Sequence, residues 1–317
     1  MSRYRIRSRE YGVGVRRTSG SRAACATRPT SGDGECSVAD RGTAVYFPDT
    51  LGELLLLARR EPDALIYSGG TFILNQRVSR FADLPPAVIS LQDVEELKRV
   101  SRSERYLEIG AALPIRDILA LGRSNVPECL YSALRMIGPA AVASLATLGG
   151  NIAVPGRILT SVPVLSLLDA RVELRRQGSS RWLAVSRVHK PNGNLELAES
   201  EVITRVRIPL QPWSVEVFRR FGSELAPESE PLSFCGLART SNRIVEEIRI
   251  IGSAGLPAPL RSRDVESELV GRRIPLAERD IATAVEVYQT LGTGLTPIQR
   301  DRFVRLVQWF LLNLPAS

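Results

Sequence analysis

The sequence predicts an α+β protein, and three observations carry that prediction. Between residues 45 and 208, short runs of branched apolar residues alternate with helical segments that begin at recognisable caps. Beyond Pro209-Leu210-Gln211-Pro212, three strand candidates come in a row and three helices follow. That is the order of a separate small α+β domain, a three-stranded sheet with helices. The composition, 44% hydrophobic and 24% charged over 317 residues, suits a globular chain with ample core.

Residues 1–43 are an Arg-, Ser-, Gly- and Thr-rich extension without an apolar period, and they read as disordered. Order begins at Val45-Tyr46-Phe47-Pro48. Thr50-Leu51-Gly52-Glu53 forms a capping box that opens a helix through Arg60. Ala64–Tyr67 reads as a short buried strand running straight into Ser68-Gly69-Gly70-Thr71, and Val88–Leu91 as another. Leu97–Val100 and Tyr106–Gly110 flank a turn at 101–105, which makes a hairpin. Pro114 suits the first turn of a helix to Leu121, and a second helix spans Cys129–Ile137. A charge-free loop, 136–156, precedes a buried helix at Val162–Leu168. The strands Arg171–Leu174, Trp182–Val185 and Val202–Ile208 complete this part. After the boundary come strands Ser214–Arg220, Leu232–Arg239 and Val245–Ile251, with Asn242 at the last turn. The helices Arg263–Val270, Leu276–Leu291 and Thr296–Leu314 follow. The final helix has Thr296 as N-cap, Pro297 at N1 and Gln299 at N3, and an apolar face of Phe303, Val307, Phe310 and Leu314.

The residue counts exclude several function classes. The net charge is +8, but nine Arg against four acids fall in residues 1–43, leaving 33 basic and 30 acidic residues in the body. No dense basic block exists, so nucleic-acid binding is not indicated. A single histidine, His189, rules out multi-histidine metal sites, and it reads as a polar-loop residue without catalytic duty. Cys25, Cys36, Cys129 and Cys235 form no CxxC pair, which argues against a cysteine-held iron–sulfur cluster or structural zinc in this chain and fits a reducing cytoplasm. The stretch from Met136 to Gly156 carries no charge, but its prolines, glycines and polar residues make poor material for a membrane span. It reads better as backbone packed closely against core or ligand.

Candidate chemistry resides in Ser68-Gly69-Gly70-Thr71 and Thr147-Leu148-Gly149-Gly150-Asn151, which hold the chain's only Gly-Gly pairs. Consecutive glycines let successive N–H groups point one way and let an anion approach the backbone. Two such pairs are no more than chance supplies among 24 glycines, so the pairs alone identify nothing.

Their flanks add more. Leu65-Ile66-Tyr67-Ser68-Gly69-Gly70-Thr71-Phe72-Ile73-Leu74 resembles the first flavin-binding stretch of the FAD subunits of molybdenum hydroxylases, the medium subunits of the carbon monoxide dehydrogenase and xanthine dehydrogenase type. Residues Ala146 to Ala153 are similar to the second stretch. Val162 to Ala170, Glu201 to Pro209, and the pieces Phe218-Arg219-Arg220-Phe221-Gly222 and Pro257-Ala258-Pro259-Leu260-Arg261 continue the match in order. It covers 44–314.

The resemblance implies a two-lobed FAD-binding domain of the PCMH type at 44–210, with lobes 44–97 and 98–210, and a C-terminal domain at 213–314. Ile66 and Tyr67 would lead into backbone N–H groups of Ser68, Gly69, Gly70, Thr71, Phe72 and Ile73 that cradle the FAD pyrophosphate. Thr147, Gly149, Gly150 and Asn151 would form the opposing wall. Ile137 would touch the flavin, Thr160 would lie by the sugar hydroxyls, and Arg220 would lie near the isoalloxazine. Two positions depart from the family's pattern: Phe72 replaces an acid, and Thr160 an Asp. No residue is expected to be catalytic by itself. The implied function is electron transfer within a multi-subunit molybdenum hydroxylase, an oxidoreductase. An iron–sulfur small subunit and a molybdopterin large subunit would hold the clusters and the molybdenum cofactor. A flavin-free structural adapter and a stand-alone flavoenzyme of the same fold are the alternatives.

Overall fold

The computed structural model describes residues 17–18, 43–75, 84–223, 229–255 and 258–315. Three sheets organise them. The first is parallel, ordered β1 (Arg17–Thr18), β2 (Ala44–Tyr46), β4 (Ala87–Ser90) and β3 (Leu65–Tyr67). Apart from β1, the expectation of disorder for the Arg-rich extension falls outside the described residues. Helix α1 (Leu51–Arg60) packs Leu54, Leu55 and Ala58 on this sheet together with Ile89, Leu91 and Val94. Thr50 caps it as expected, its Oγ1 accepting from the Glu53 N–H at 3.2 Å. Glu53 returns its carboxylate to the Asp49 N–H rather than to Thr50, so the box is offset by one residue.

The second sheet is antiparallel, in the order β5 (Val100–Arg102), β6 (Tyr106–Gly110), β9 (Val202–Pro209), β7 (Arg171–Arg176) and β8 (Ser179–Ala184). Its inner face of Leu107, Ile109, Val172, Leu174, Val206 and Ile208 meets α3 (Ile115–Ala120), α4 (Glu128–Leu134) and α7 (Ser161–Leu167) in one core. Every residue of α7 is buried. Three expectations are corrected here. The first hairpin strand begins at Val100, because Glu95–Lys98 is a 3₁₀ turn that drives Leu97 into the core. The charge-free stretch is not a plain loop: Pro139 and Thr147 each start a single helical turn, α5 (Ala140–Ala143) and α6 (Leu148–Ile152). The helix expected to reach Ile137 ends at Leu134, ahead of Gly138, whose φ is +64°.

The third sheet, β10 (Val215–Phe221), β11 (Leu232–Ser241) and β12 (Ile244–Ser253), is antiparallel. Helices α8 (Arg263–Leu269), α9 (Glu278–Leu291) and α10 (Pro297–Leu312) accompany it. Phe303, Val307 and Phe310 of α10 share a core with Phe234 and Ile250, and the capping box at Thr296 and Gln299 closes in both directions. Packing of Phe218, Cys235, Leu237 and Ile251 into the preceding core, and polar contacts, tie this sheet to the preceding part. Arg249 lies 2.6 Å from Asp169 Oδ2 and donates to the Leu167 carbonyl at 2.5 Å, and Cys129 N–H donates to Glu216 at 2.9 Å. The end of β10 thereby comes to lie beside α4 and the Met136–Gly138 turn.

Candidate functional site

The first Gly-Gly stretch sits where β3 stops. Leu91 N–H bonds the Tyr67 carbonyl and pins the strand end. Gly70, at φ +65°, then turns the chain into α2 (Thr71–Asn75). Among the described residues, the N–H groups of Gly69, Gly70, Thr71, Phe72 and Ile73 make no hydrogen bond within the chain. They are the donors that a turn and a helical first turn leave open.

The second stretch is pinned to the β6–α3 connection. Ile115 N–H bonds the Ala146 carbonyl at 2.8 Å, and Gly149 N–H bonds the Ala111 carbonyl at 2.9 Å. Thr147 caps α6 by accepting from Gly150 N–H at 3.2 Å. The N–H groups of Gly149, Gly150 and Asn151 are therefore spent inside the protein, whereas those of the first stretch are open.

These two stretches touch. A Cβ placed on Gly69 would lie 1.7 Å from the Leu145 carbonyl oxygen, so glycine is required there by protein backbone. Gly149 likewise lies against Ala111, 2.7 Å from its Cβ. At Gly150 an added Cβ would meet only Thr147 Oγ1, at 2.8 Å, and is otherwise in open space.

A cavity of about 530 Å³ opens between the stretches, a size typical of small-molecule sites. Ser68, Gly69, Gly70, Thr71, Phe72 and Ile73 line one side, following Ile66. Thr147, Gly150 and Asn151 line the other, and Ile137, Thr160 and Arg220 complete the expected set. Of the residues singled out in the sequence, Tyr67 and Gly149 alone stand behind the lining: the Tyr67 hydroxyl covers Gly70, and Gly149 faces Ala111. Lining that the sequence reading missed includes Pro139, Val142, Val154, Pro155 and Leu159. Their one advance sign was the charge-free stretch, which supplies most of them.

Side-chain chemistry in the cavity is mainly donating. Asn151 Oδ1 accepts from Ser161 Oγ at 2.6 Å and from its N–H at 3.3 Å, which leaves the amide Nδ2 to donate. Among the described residues of the lining Arg220 is the charged one, held by the Met136 and Gly222 carbonyls at 2.6 and 3.1 Å, and no carboxylate lines the cavity among them. Thr160 is buried at the start of α7. The set fits an elongated ligand with an anionic segment against α2 and apolar parts against Ile137, Val142 and Leu159.

Other reactive groups stand apart from it. Burial pushes the Cys129 thiol up, and neighbouring Cys235 and Glu216 add to the shift, so it is no nucleophile at neutral pH. Among the described residues no three His, Cys, Asp or Glu side chains gather to hold a metal, and no helix is long and apolar enough to cross a membrane.

Comparison with known proteins converges on the same region. Residues 40–211 match the family model described as the FAD binding domain in molybdopterin dehydrogenase. The putative xanthine dehydrogenase FAD-binding subunit XdhB of Escherichia coli (strain K12) is 22% identical over 222 residues, covering 68% of this chain and 75% of that protein. Quinoline 2-oxidoreductase from Pseudomonas putida 86 superposes with a TM-score of 0.70 at 22% identity, over 86% of this chain and 94% of that one. A carbon monoxide dehydrogenase from Hydrogenophaga pseudoflava, in a form lacking the Mo-pyranopterin moiety of its cofactor, gives 0.72 at 18% identity, over 85% and 94%. These two structures share the α+β fold of this chain.

Proposed function

We propose, for a chain that belongs to the family of FAD binding domains in molybdopterin dehydrogenase, that it is the FAD-carrying subunit of a multi-subunit molybdenum-dependent oxidoreductase. Residues 44–210 would be the FAD-binding domain, with lobes 44–97 and 98–210, and 213–314 the C-terminal domain. The isoalloxazine supplies the redox chemistry when FAD is bound. The protein binds, orients and shields it. A partner's iron–sulfur clusters would be the electron source, with the molybdenum centre on a further subunit, and the acceptor would lie outside this chain.

The observation that carries this reading is the row of open N–H donors from Gly69 to Ile73 facing a cavity in which no described residue brings a carboxylate. A diphosphate needs such donors, and it would be repelled by acids. Gly69 and Gly70 bring that row close to the ligand, and the Ser68 and Thr71 hydroxyls add to it. Gly150 leaves the opposite wall low enough for the ligand to pass. The Asn151 amide and Thr160 serve the sugar hydroxyls. Ile137, Val142 and Leu159 offer apolar surface to the ring systems, and Arg220 brings a positive charge to the lining. Phe72 contributes through its N–H rather than its side chain, so the loss of an acid there leaves the diphosphate cradle intact.

The test is titration of the full-length protein with FAD, followed by flavin fluorescence, together with isolation of the native complex from its own cells. Saturable binding of one FAD per chain, and co-purification with iron–sulfur and molybdenum-containing subunits, is the expected result. A complex that contains this chain but carries no flavin and takes none up would make it the flavin-free adapter instead.

A further inference from the structure

His189 lies behind one wall of this cavity, bonded to Ile152. The hairpin around it joins Val188 to Glu196 by Glu196 N–H to the Val188 carbonyl, Lys190 N–H to the Asn194 carbonyl and a bridge between His189 and Leu195. Two bonds fasten that hairpin to the wall. His189 Nε2 lies 2.9 Å from the carbonyl oxygen of Ile152, the last residue of α6, and Gly156 N–H donates to the Gly193 carbonyl at 2.7 Å. A carbonyl can only accept, so the proton resides on Nε2. Nδ1 is buried and has no hydrogen-bond partner among the described residues. The segment between these two anchors, Ala153, Val154 and Pro155, lines the cavity, as do Leu159 and Thr160 beyond them.

The other walls need no such help. The strand end at Tyr67 and the stretch at Ala146–Gly149 are each fixed by backbone bonds to neighbouring elements. The 153–156 segment belongs to no sheet: His189 bonds the carbonyl that precedes it, the Gly193 carbonyl accepts from its Gly156 N–H, and Asn151 and Ser161 join the chain on either side of it.

We propose that His189 is a positioning residue for the cofactor: its Nε2–H bond to Ile152 sets the distance of the 152–160 wall from the α2 cradle. This rests on the reading of the cavity as an FAD site. It follows that the role belongs to a donor at the Nε2 position and not to the imidazole as such. Glutamine can place its amide nitrogen near that position; asparagine, one carbon shorter, cannot; leucine fills the space without donating.

The experiment compares the full-length protein with His189→Gln, His189→Asn and His189→Leu. FAD affinity is read by flavin fluorescence, and amide hydrogen exchange of residues 153–160 is read in the FAD-free protein. His189→Leu and His189→Asn are expected to weaken FAD binding about fivefold, the worth of one neutral hydrogen bond, and to speed exchange in the segment. His189→Gln is expected to restore both to within about twofold. Wild-type affinity and exchange in His189→Leu, or a Gln variant as impaired as the Leu variant, would overturn the proposal. Absence of FAD binding in the unmutated protein would instead strike the functional reading, while the exchange data would still decide whether His189 holds the wall.

Discussion

Gly150→Val separates a ligand-facing glycine from glycines that serve the fold. The new Cβ would meet Thr147 Oγ1 at 2.8 Å and nothing else within van der Waals distance. Thr147 can rotate away at the cost of its cap, about 1 kcal/mol, and valine recovers a few tenths over glycine in a helical turn, roughly 0.3 kcal/mol. The net loss of stability should therefore stay below about 1 kcal/mol, a drop of roughly 2–4 °C in thermal midpoint. Binding should suffer far more. The two methyl groups enter the cavity and hold a ligand off the wall by more than a carbon–carbon bond length. An anion so displaced loses charge-assisted bonds to the α2 donors, each worth roughly 1.5–3 kcal/mol. Losing two weakens FAD binding by roughly two to four orders of magnitude. Flavin fluorescence titration measures the first quantity and circular dichroism melting the second. A Gly150→Val protein that binds FAD like the parent, or one that loses FAD only because it unfolds, would refute the reasoning.

Three further outcomes follow from named contacts. Gly69→Ala must push the two Gly-Gly stretches apart, since its methyl would lie 1.7 Å from the Leu145 carbonyl; we expect a loss of about 3 kcal/mol or more in urea unfolding, and an unchanged midpoint would count against the packing described. Arg249→Met removes the ion pairs to Asp169 and Glu247, the bond to the Leu167 carbonyl and the stacking over Trp213; with Asp169 half exposed, the cost should be about 1–2 kcal/mol, read from the same denaturation curves. Burial lowers the pKa of His189 below its ordinary 6.5, against the opposing pull of the Ile152 bond. Between that ordinary value and the lower folded one the unfolded chain binds more protons, so stability falls as pH drops through this window. His189→Gln should flatten that part of the pH–stability profile, and a variant tracking the parent across it would contradict the assignment.

Much of this architecture was legible because its signals are local. Thr50 and Thr296 announced helix starts that the structure keeps, and the branched apolar residues of Val202–Ile208 announced a strand. What escaped the sequence reading depends on distant partners. One-turn helices such as α5 and α6 are too short to show an apolar period. Leu97 reads as strand by composition, yet the core beside Val94 claims its side chain and delays the strand to Val100. In the site, the sequence could assemble both Gly-Gly stretches but could not rank their glycines. Gly69 and Gly149 are occupied by Leu145 and Ala111, from other parts of the chain. His189 looked like a loop residue because nothing near it in sequence points to Ile152, thirty-seven residues away.

That ranking changes what the glycine motifs mean. A Gly-Gly pair invites the reading that both residues make room for the ligand, but in each pair here one glycine faces protein. Gly69 lets the first stretch lie against the second, and Gly149 lets the second lie against the β6–α3 connection, so the pairs first bring two backbones together. Only then does a glycine leave space, Gly150 on the wall opposite α2, whereas Gly70 turns the chain into α2 with the Tyr67 hydroxyl over it. The cavity thus follows from the docking of the two stretches: its open N–H donors belong to the one that runs into α2, and the other forms the wall opposite. A ligand that spans both stretches, as a dinucleotide would, reads their separation directly, which is why a residue outside the lining such as His189 can control its affinity.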